Sequence, residues 1–214
     1  NPEIHLIPYP VRILYDNVLE LLSPWDLILD GTDNFPTRYL VNDACVVLQK
    51  PLISGSVFQF ESQVCALNVR NEDGSRSPNY RCLYPFPPTD SLSCAEAGVL
   101  GSTVGIAGMV MANETLKWIS GTGELLKGKL WILNALTMQT KILKFSRDEE
   151  NFLFHQPNLL PAQMYEQVCQ KVFVPELSVP EFFQWKKEQL NPVLVDVREQ
   201  YEYEQDHENG LLIP

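Results

Sequence analysis

The 214-residue chain has five cysteines, Cys45, Cys65, Cys82, Cys94 and Cys169, but no Cys-x-x-Cys pair. An odd number at irregular spacing excludes a disulfide framework. It also argues against a structural zinc site, which takes four ligands where His155 is the only nearby substitute. Reduced thiols in a reducing compartment follow. Positive charge is scarce: 16 Lys and Arg stand against 27 Asp and Glu, a net charge of −11. That balance argues against nucleic acid or an anionic membrane surface and favours a basic protein partner. No uninterrupted apolar run reaches about 18 residues, and no basic-then-apolar amino terminus is present. Neither a membrane span nor a secretory signal is expected, and a soluble cytoplasmic protein is the default. Gly-x-Gly-x-x-Gly is missing too, which removes support for a nucleotide-binding oxidoreductase.

What is present is an apolar content of 45%, enough for one good core or for a domain plus a smaller piece. Ile4-His5-Leu6-Ile7 is strand-like, 17–22 has a short helical pattern, and Trp25-Asp26-Leu27-Ile28-Leu29-Asp30 reads as a buried strand. A helix is predicted over 36–49, with Pro36 near its first turn, and a strand over 51–55. The β-α-β-α-β order predicts a parallel α/β sheet that takes ligands at the carboxyl ends of its strands.

A longer strand over 63–69 then leads through a turn-rich segment into an extended loop, 76–93, holding Pro78, Pro85, Pro87 and Pro88. A loop of that length is usually functional or mobile. The longest apolar helix is predicted over 95–120, where Gly98, Gly101, Gly105 and Gly108 suggest close packing against a neighbouring helix or a second subunit. Residues 129–135 and 140–145 read as a hairpin that completes the core. The first domain is expected to end near residue 148. A linker over 149–175, with a helical stretch at 162–172, leads to a helix at 180–189 and a strand at 193–198.

Two places could carry chemistry. Asp30-Gly31-Thr32-Asp33-Asn34 lies between a buried strand and a helix. Its two carboxylates suit a magnesium-nucleotide, and equally an Asx turn and helix N-cap. Arg38, one turn on, could pair with Asp33, contact a phosphate, or be a surface charge. Cys94 falls at the predicted start of the long helix, where unpaired N–H groups favour a thiolate. The alternative there is a small buried side chain closing the first turn.

Five strings occur in order: Leu29-Asp30-Gly31-Thr32-Asp33-Asn34, then Arg38, Pro51-Leu52-Ile53-Ser54-Gly55, Pro78-Asn79-Tyr80-Arg81-Cys82-Leu83-Tyr84-Pro85 and Ser93-Cys94-Ala95-Glu96-Ala97-Gly98-Val99-Leu100-Gly101. Together they resemble the MoeB/ThiF family, adenylyltransferases that activate ubiquitin-like sulfur-carrier proteins, over residues 1–148. The tail, from Val193-Leu194-Val195-Asp196-Val197-Arg198-Glu199 through Tyr203, Glu204 and His207, looks like the opening of a rhodanese domain over 176–214. The resemblance implies the carboxyl-terminal part of a Rossmann-like sheet, a linker and a truncated rhodanese-like segment. It implies that Asp33 binds Mg2+ and ATP with Asn34 and Arg38 beside it, and that Cys94 forms a thioester or persulfide-derived link to the carrier. The loop 76–93 would be the crossover segment over the carrier's tail. A homodimer and sulfur transfer, for molybdopterin or a related thiolation, are implied as well.

Three departures qualify it. Zinc in this family is held by two Cys-x-x-Cys pairs, whereas Asn79 replaces the first cysteine of one pair and 151–156 offers no second pair, so zinc is not expected. The family's glycine-rich nucleotide loop and its phosphate-binding arginine and lysine would precede residue 1, and the rhodanese persulfide loop would follow residue 214. This chain alone is therefore expected to lack exchange activity. The alternative reading is a non-catalytic module that binds a ubiquitin-like protein.

Overall fold

The computed structural model describes residues 3–87, 98–155, 177–188, 193–197, 200–205 and 210–213. Its contacts divide the chain into two units, Asn1–Gln170 and Lys171–Pro214. The first runs α1 (Val18–Leu22), β1 (Ile28–Asp30), α2 (Phe35–Val47), β2 (Leu52–Phe58), β3 (Glu61–Leu67), a 3-10 turn (Tyr80–Cys82), α3 (Gly101–Ser120), β4 (Lys129–Asn134), β5 (Gln139–Lys144) and α4 (Phe152–His155).

The five strands form one sheet in sequence order. β1 is parallel to β2, with Asp30 opposite Ser54, and every later neighbour is antiparallel. The α/β class holds, but the expected parallel sheet is corrected to a mixed one. The cause is local: Phe58 pairs with Glu61 across a two-residue turn in which Gln59 takes φ 50°. A parallel neighbour needs a crossover of about a dozen residues. Ile4–Ile7, expected as a strand, is exposed and irregular, since no ladder satisfies its backbone among the described residues.

Alternation along the strands sends side chains into two cores. Leu52, Cys65 and Leu67 join α1 and α2 on one face through Val18, Leu22, Tyr39, Leu40, Ala44 and Cys45. Ile53, Val64 and Ala66 meet Ala107 and Met111 of α3 on the other. Gly55 makes that second contact tight, because a Cβ there would stand 2.3 Å from Met111 Sδ.

α2 starts where the sequence placed a cap. Asn34 is extended, its Oδ1 accepts from the Thr37 N–H at 2.9 Å, and Pro36 sits where an N–H would have no intrahelical partner. The start of α3 is a correction: it begins at Gly101, not at residue 95. Gly98 is left-handed at φ 72°, Val99 bridges to Gln59, and the Leu100 N–H donates to the Gln59 carbonyl at 3.1 Å, so residues 98–100 run as irregular chain. Among the described residues a Cβ on Gly98, Gly101, Gly105 or Gly108 would meet nothing within 4 Å, so no neighbouring helix packs closely on them there.

The loop reading of 76–93 also changes. Ser77, Asn79, Tyr80 and Arg81 are buried, the Ser77 N–H donates to the Val69 carbonyl at 2.8 Å, and residues 80–82 form the 3-10 turn. Farther along, where the linker was expected, Asn151 and Leu153 are buried within the first unit. The helix expected at 162–172 lies outside the described residues. In the second unit, α5 (Val179–Glu188) is preceded by Ser178, whose N–H donates to Glu181 Oε2 at 2.8 Å. β6 (Val195–Asp196), α6 (Gln200–Gln205) and β7 (Leu211–Leu212) follow, and β6 pairs with β7 in parallel.

Candidate functional site

The carboxyl end of β1 carries Asp30 opposite Ser54 of β2, one residue before Gly55, with the 31–34 turn and α2 following directly from it. Asp30 is buried and serves the turn. Its Oδ1 accepts from the Thr32 N–H at 2.9 Å and from Thr32 Oγ1 at 2.7 Å, an Asx turn that fixes the backbone leading to Asp33. Among the described residues its Oδ2 has no hydrogen-bond partner; it lies 3.8 Å from Arg38 Nε, itself without one.

Arg38 is buried, which removes the surface-charge reading, and its ion pair is with Asp30 rather than Asp33. Nη2 donates to the Thr32 carbonyl at 2.5 Å and to the Gly55 carbonyl at 3.2 Å. The guanidinium also lies 5.9 Å from the centre of the Tyr80 ring. One side chain therefore joins the end of β1, the middle of β2, the turn between β1 and α2, and the 3-10 turn. Burial pushes the Tyr80 hydroxyl up to about 12.

Asp33 is exposed, and Asn34 Nδ2 donates to its Oδ1 at a long 3.4 Å. Of the two carboxylates noted in the sequence, Asp33 is thus the one that faces outward. Asn34 has spent its oxygen on the helix cap. Asp33, Asn34 and Arg38 are brought to one strand end; Cys94 lies outside the described residues. The long helix expected to follow Cys94 begins at Gly101. Among the other cysteines, Cys45 and Cys65 are buried in the core. Burial raises both thiols, Cys65 to about 12, which makes them poor nucleophiles.

A neighbouring feature escaped the sequence reading. Arg81 Nε and Nη2 grip the Asp43 carboxylate at 2.7–3.0 Å, both residues being buried. The guanidinium stacks 4.7 Å from the Tyr39 ring centre and 5.0 Å from that of Phe152. Arg81 Nη1 donates to the Pro85 carbonyl at 3.0 Å, which anchors the chain just before residues 88–97. The available signal was a carboxylate on the buried face of α2, one turn from Tyr39. Among the described residues, no group of three His, Cys, Asp or Glu is placed to hold a metal ion.

The pattern that defines the ThiF family matches residues 1–153, which take in the whole of this site. The chain belongs to the ThiF family. As a ThiF-family member it is 45% identical over 150 residues to the sulfur carrier protein adenylyltransferase of Thermus thermophilus, covering 69% of this chain and 55% of the relative. It is 37% identical over 225 aligned positions to the Mycobacterium tuberculosis protein named "Probable adenylyltransferase/sulfurtransferase MoeZ", covering 100% of this chain and 56% of the relative. This ThiF-family chain thus spans about half the length of these curated relatives. Among solved structures, Escherichia coli MccB crystallised with ATP shares the fold at 15% identity and a TM-score of 0.54, covering 67% of this chain and 44% of MccB.

Proposed function

We propose that this ThiF-family chain is part of an ATP-dependent enzyme that adenylates the carboxyl-terminal glycine of a ubiquitin-like sulfur-carrier protein and passes the activated carrier on for sulfur transfer. The observation that carries this reading is Asp33: an exposed carboxylate at a strand end, on a turn fixed from beneath by Asp30 and Arg38. The names of the relatives point the same way.

In this mechanism the carrier's terminal carboxylate oxygen attacks the α-phosphorus of ATP, the bond to pyrophosphate breaks, and an acyl-adenylate forms. Asp33 would supply an oxygen ligand for the Mg2+ of the nucleotide, which would serve to neutralise charge on the phosphates. Asn34 caps α2 so that its first turn faces the same space. Arg38 acts through the Thr32 and Gly55 carbonyls, as a residue that positions the Asp33 turn. Cys94 then attacks the acyl carbon, AMP leaves and a thioester links carrier to enzyme; sulfur at the sulfide level attacks the same carbon, the bond to Cys94 breaks, and thiolate and thiocarboxylate separate.

In this reading residues up to α4 belong to the adenylation part. The segment 176–214 begins a rhodanese-like domain, for which the parallel β6–β7 pair and the capped α5 speak. The enzyme is taken to work as a cytoplasmic homodimer.

Carrier-dependent ATP–pyrophosphate exchange tests it in the protein that carries these residues. Asp33→Asn is expected to lower exchange by about 100-fold or more, while Cys94→Ala leaves exchange intact and abolishes the thioester. Carrier binding that needs no ATP and survives both substitutions, with no exchange, would point to a non-catalytic binding module instead.

A further inference from the structure

The family resemblance places zinc between two Cys-x-x-Cys pairs, where this chain has Asn79 and Cys82 for the first and no cysteine in 151–156, Asn-Phe-Leu-Phe-His-Gln, for the second. The two stretches still meet. Asn151 Nδ2 donates to Asn79 Oδ1 at 3.0 Å and reaches Cys82 Sγ at 3.6 Å. Both amides are oriented by backbone donors, which settles which end is oxygen: Asn79 Oδ1 also accepts from the Arg81 N–H at 2.9 Å, and Asn151 Oδ1 accepts from the Leu153 N–H at 3.2 Å. Asn79, Asn151 and Leu153 are buried.

These donors do not fit the metal. Zinc in structural sites takes thiolate, imidazole or carboxylate ligands in a closed set of four. Here one thiol stands among two amides, the Asn79 oxygen already accepts two hydrogen bonds, and the imidazole of this stretch, His155, is exposed with its Nε2 2.7 Å from the Glu149 carbonyl. Asn79 Nδ2 is buried without a partner among the described residues. An unused donor N–H adds nothing for a cation.

We infer that an Asn79–Asn151–Cys82 hydrogen-bonded clasp joins these two stretches without metal, and that this clasp holds the 151–155 segment onto the 3-10 turn. Phe152, carried by that segment, lies against the Arg81 guanidinium, which in turn holds the Pro85 carbonyl. The clasp therefore fixes the stem from which residues 88–97 depart.

Metal content and thermal unfolding of the whole protein decide it. After growth with added zinc, Cys82-dependent zinc is expected below about 0.1 per chain, and the melting temperature is expected to move by less than about 1 °C with EDTA or with zinc. Asn151→Asp keeps the shape but puts an acceptor against the Asn79 oxygen. It is expected to lower the melting temperature by about 5 °C or more, at least as much as Asn151→Ala. One zinc per chain that Cys82→Ser removes, a melting temperature that falls with EDTA, or an Asn151→Asp protein as stable as its parent would each overturn the clasp. Should the Asp variant not fold, zinc content and the EDTA response of the unaltered protein give the answer.

Discussion

Asp30 and Asp33 share one short turn and have opposite work. Asp30 is turned inward and consumed by Thr32 and Arg38, while Asp33 stays in solvent. The buried Asp43–Arg81 pair shows the cost of such internal charge. Removing the guanidinium leaves a carboxylate in the core without its bidentate partner, so Arg81→Leu is expected to lose about 3–5 kcal/mol in urea unfolding. The double substitution Asp43→Leu with Arg81→Leu is expected to recover part of that loss. The sequence made Asp33, Asn34 and Arg38 legible because a strand end, a polar turn and a proline-led helix succeed one another without a gap. It hid the Asp43–Arg81 pair because the partners are 38 residues apart and a lone charge in a helix reads as surface.

Elements whose ends are chemically marked were the readable ones. α2 has its asparagine cap and its proline; Asn34→Ala is expected to cost about 1 kcal/mol, seen as a lower urea midpoint with an unchanged slope. The β4–β5 hairpin lies where it was expected, but only β4 contributes to the core, through Leu130 and Leu133, and every residue of β5 is exposed. Two boundaries were not readable. The turn between β2 and β3 uses Gln59 at positive φ in place of the Asn-Gly or Asp-Gly pair that announces such a turn. At the start of α3, small and apolar residues continue on both sides of Gly98, so nothing in composition marks the change from irregular chain to helix.

For the whole first unit, a mixed sheet covered by α1 and α2 on one face and α3 on the other leaves several titratable groups deep in the protein. Their burial gives a direction for alkaline stability. Cys65 rises from 9.0 to about 12 and Tyr80 from 10.0 to about 12 on folding. Both are neutral when protonated, so above their unfolded values the unfolded chain releases protons that the folded chain keeps. Stability is therefore fully present below pH 9 and is lost as pH rises from about 9 towards 12. Urea midpoints measured across that range are expected to fall, and less steeply in Cys65→Ala. A midpoint that stays flat would contradict the burial of both groups.

Gly55 occupies the crossing of these relationships. Its missing side chain admits Met111 from the α3 face, and its carbonyl receives Arg38 from the α2 face. Packing on one side of the sheet and the aim of the Asp33 turn on the other are thus written into a single backbone position. A methyl group added there would press on the α3 core and disturb the anchor of the opposite face together, so the two cannot be tuned separately at that residue.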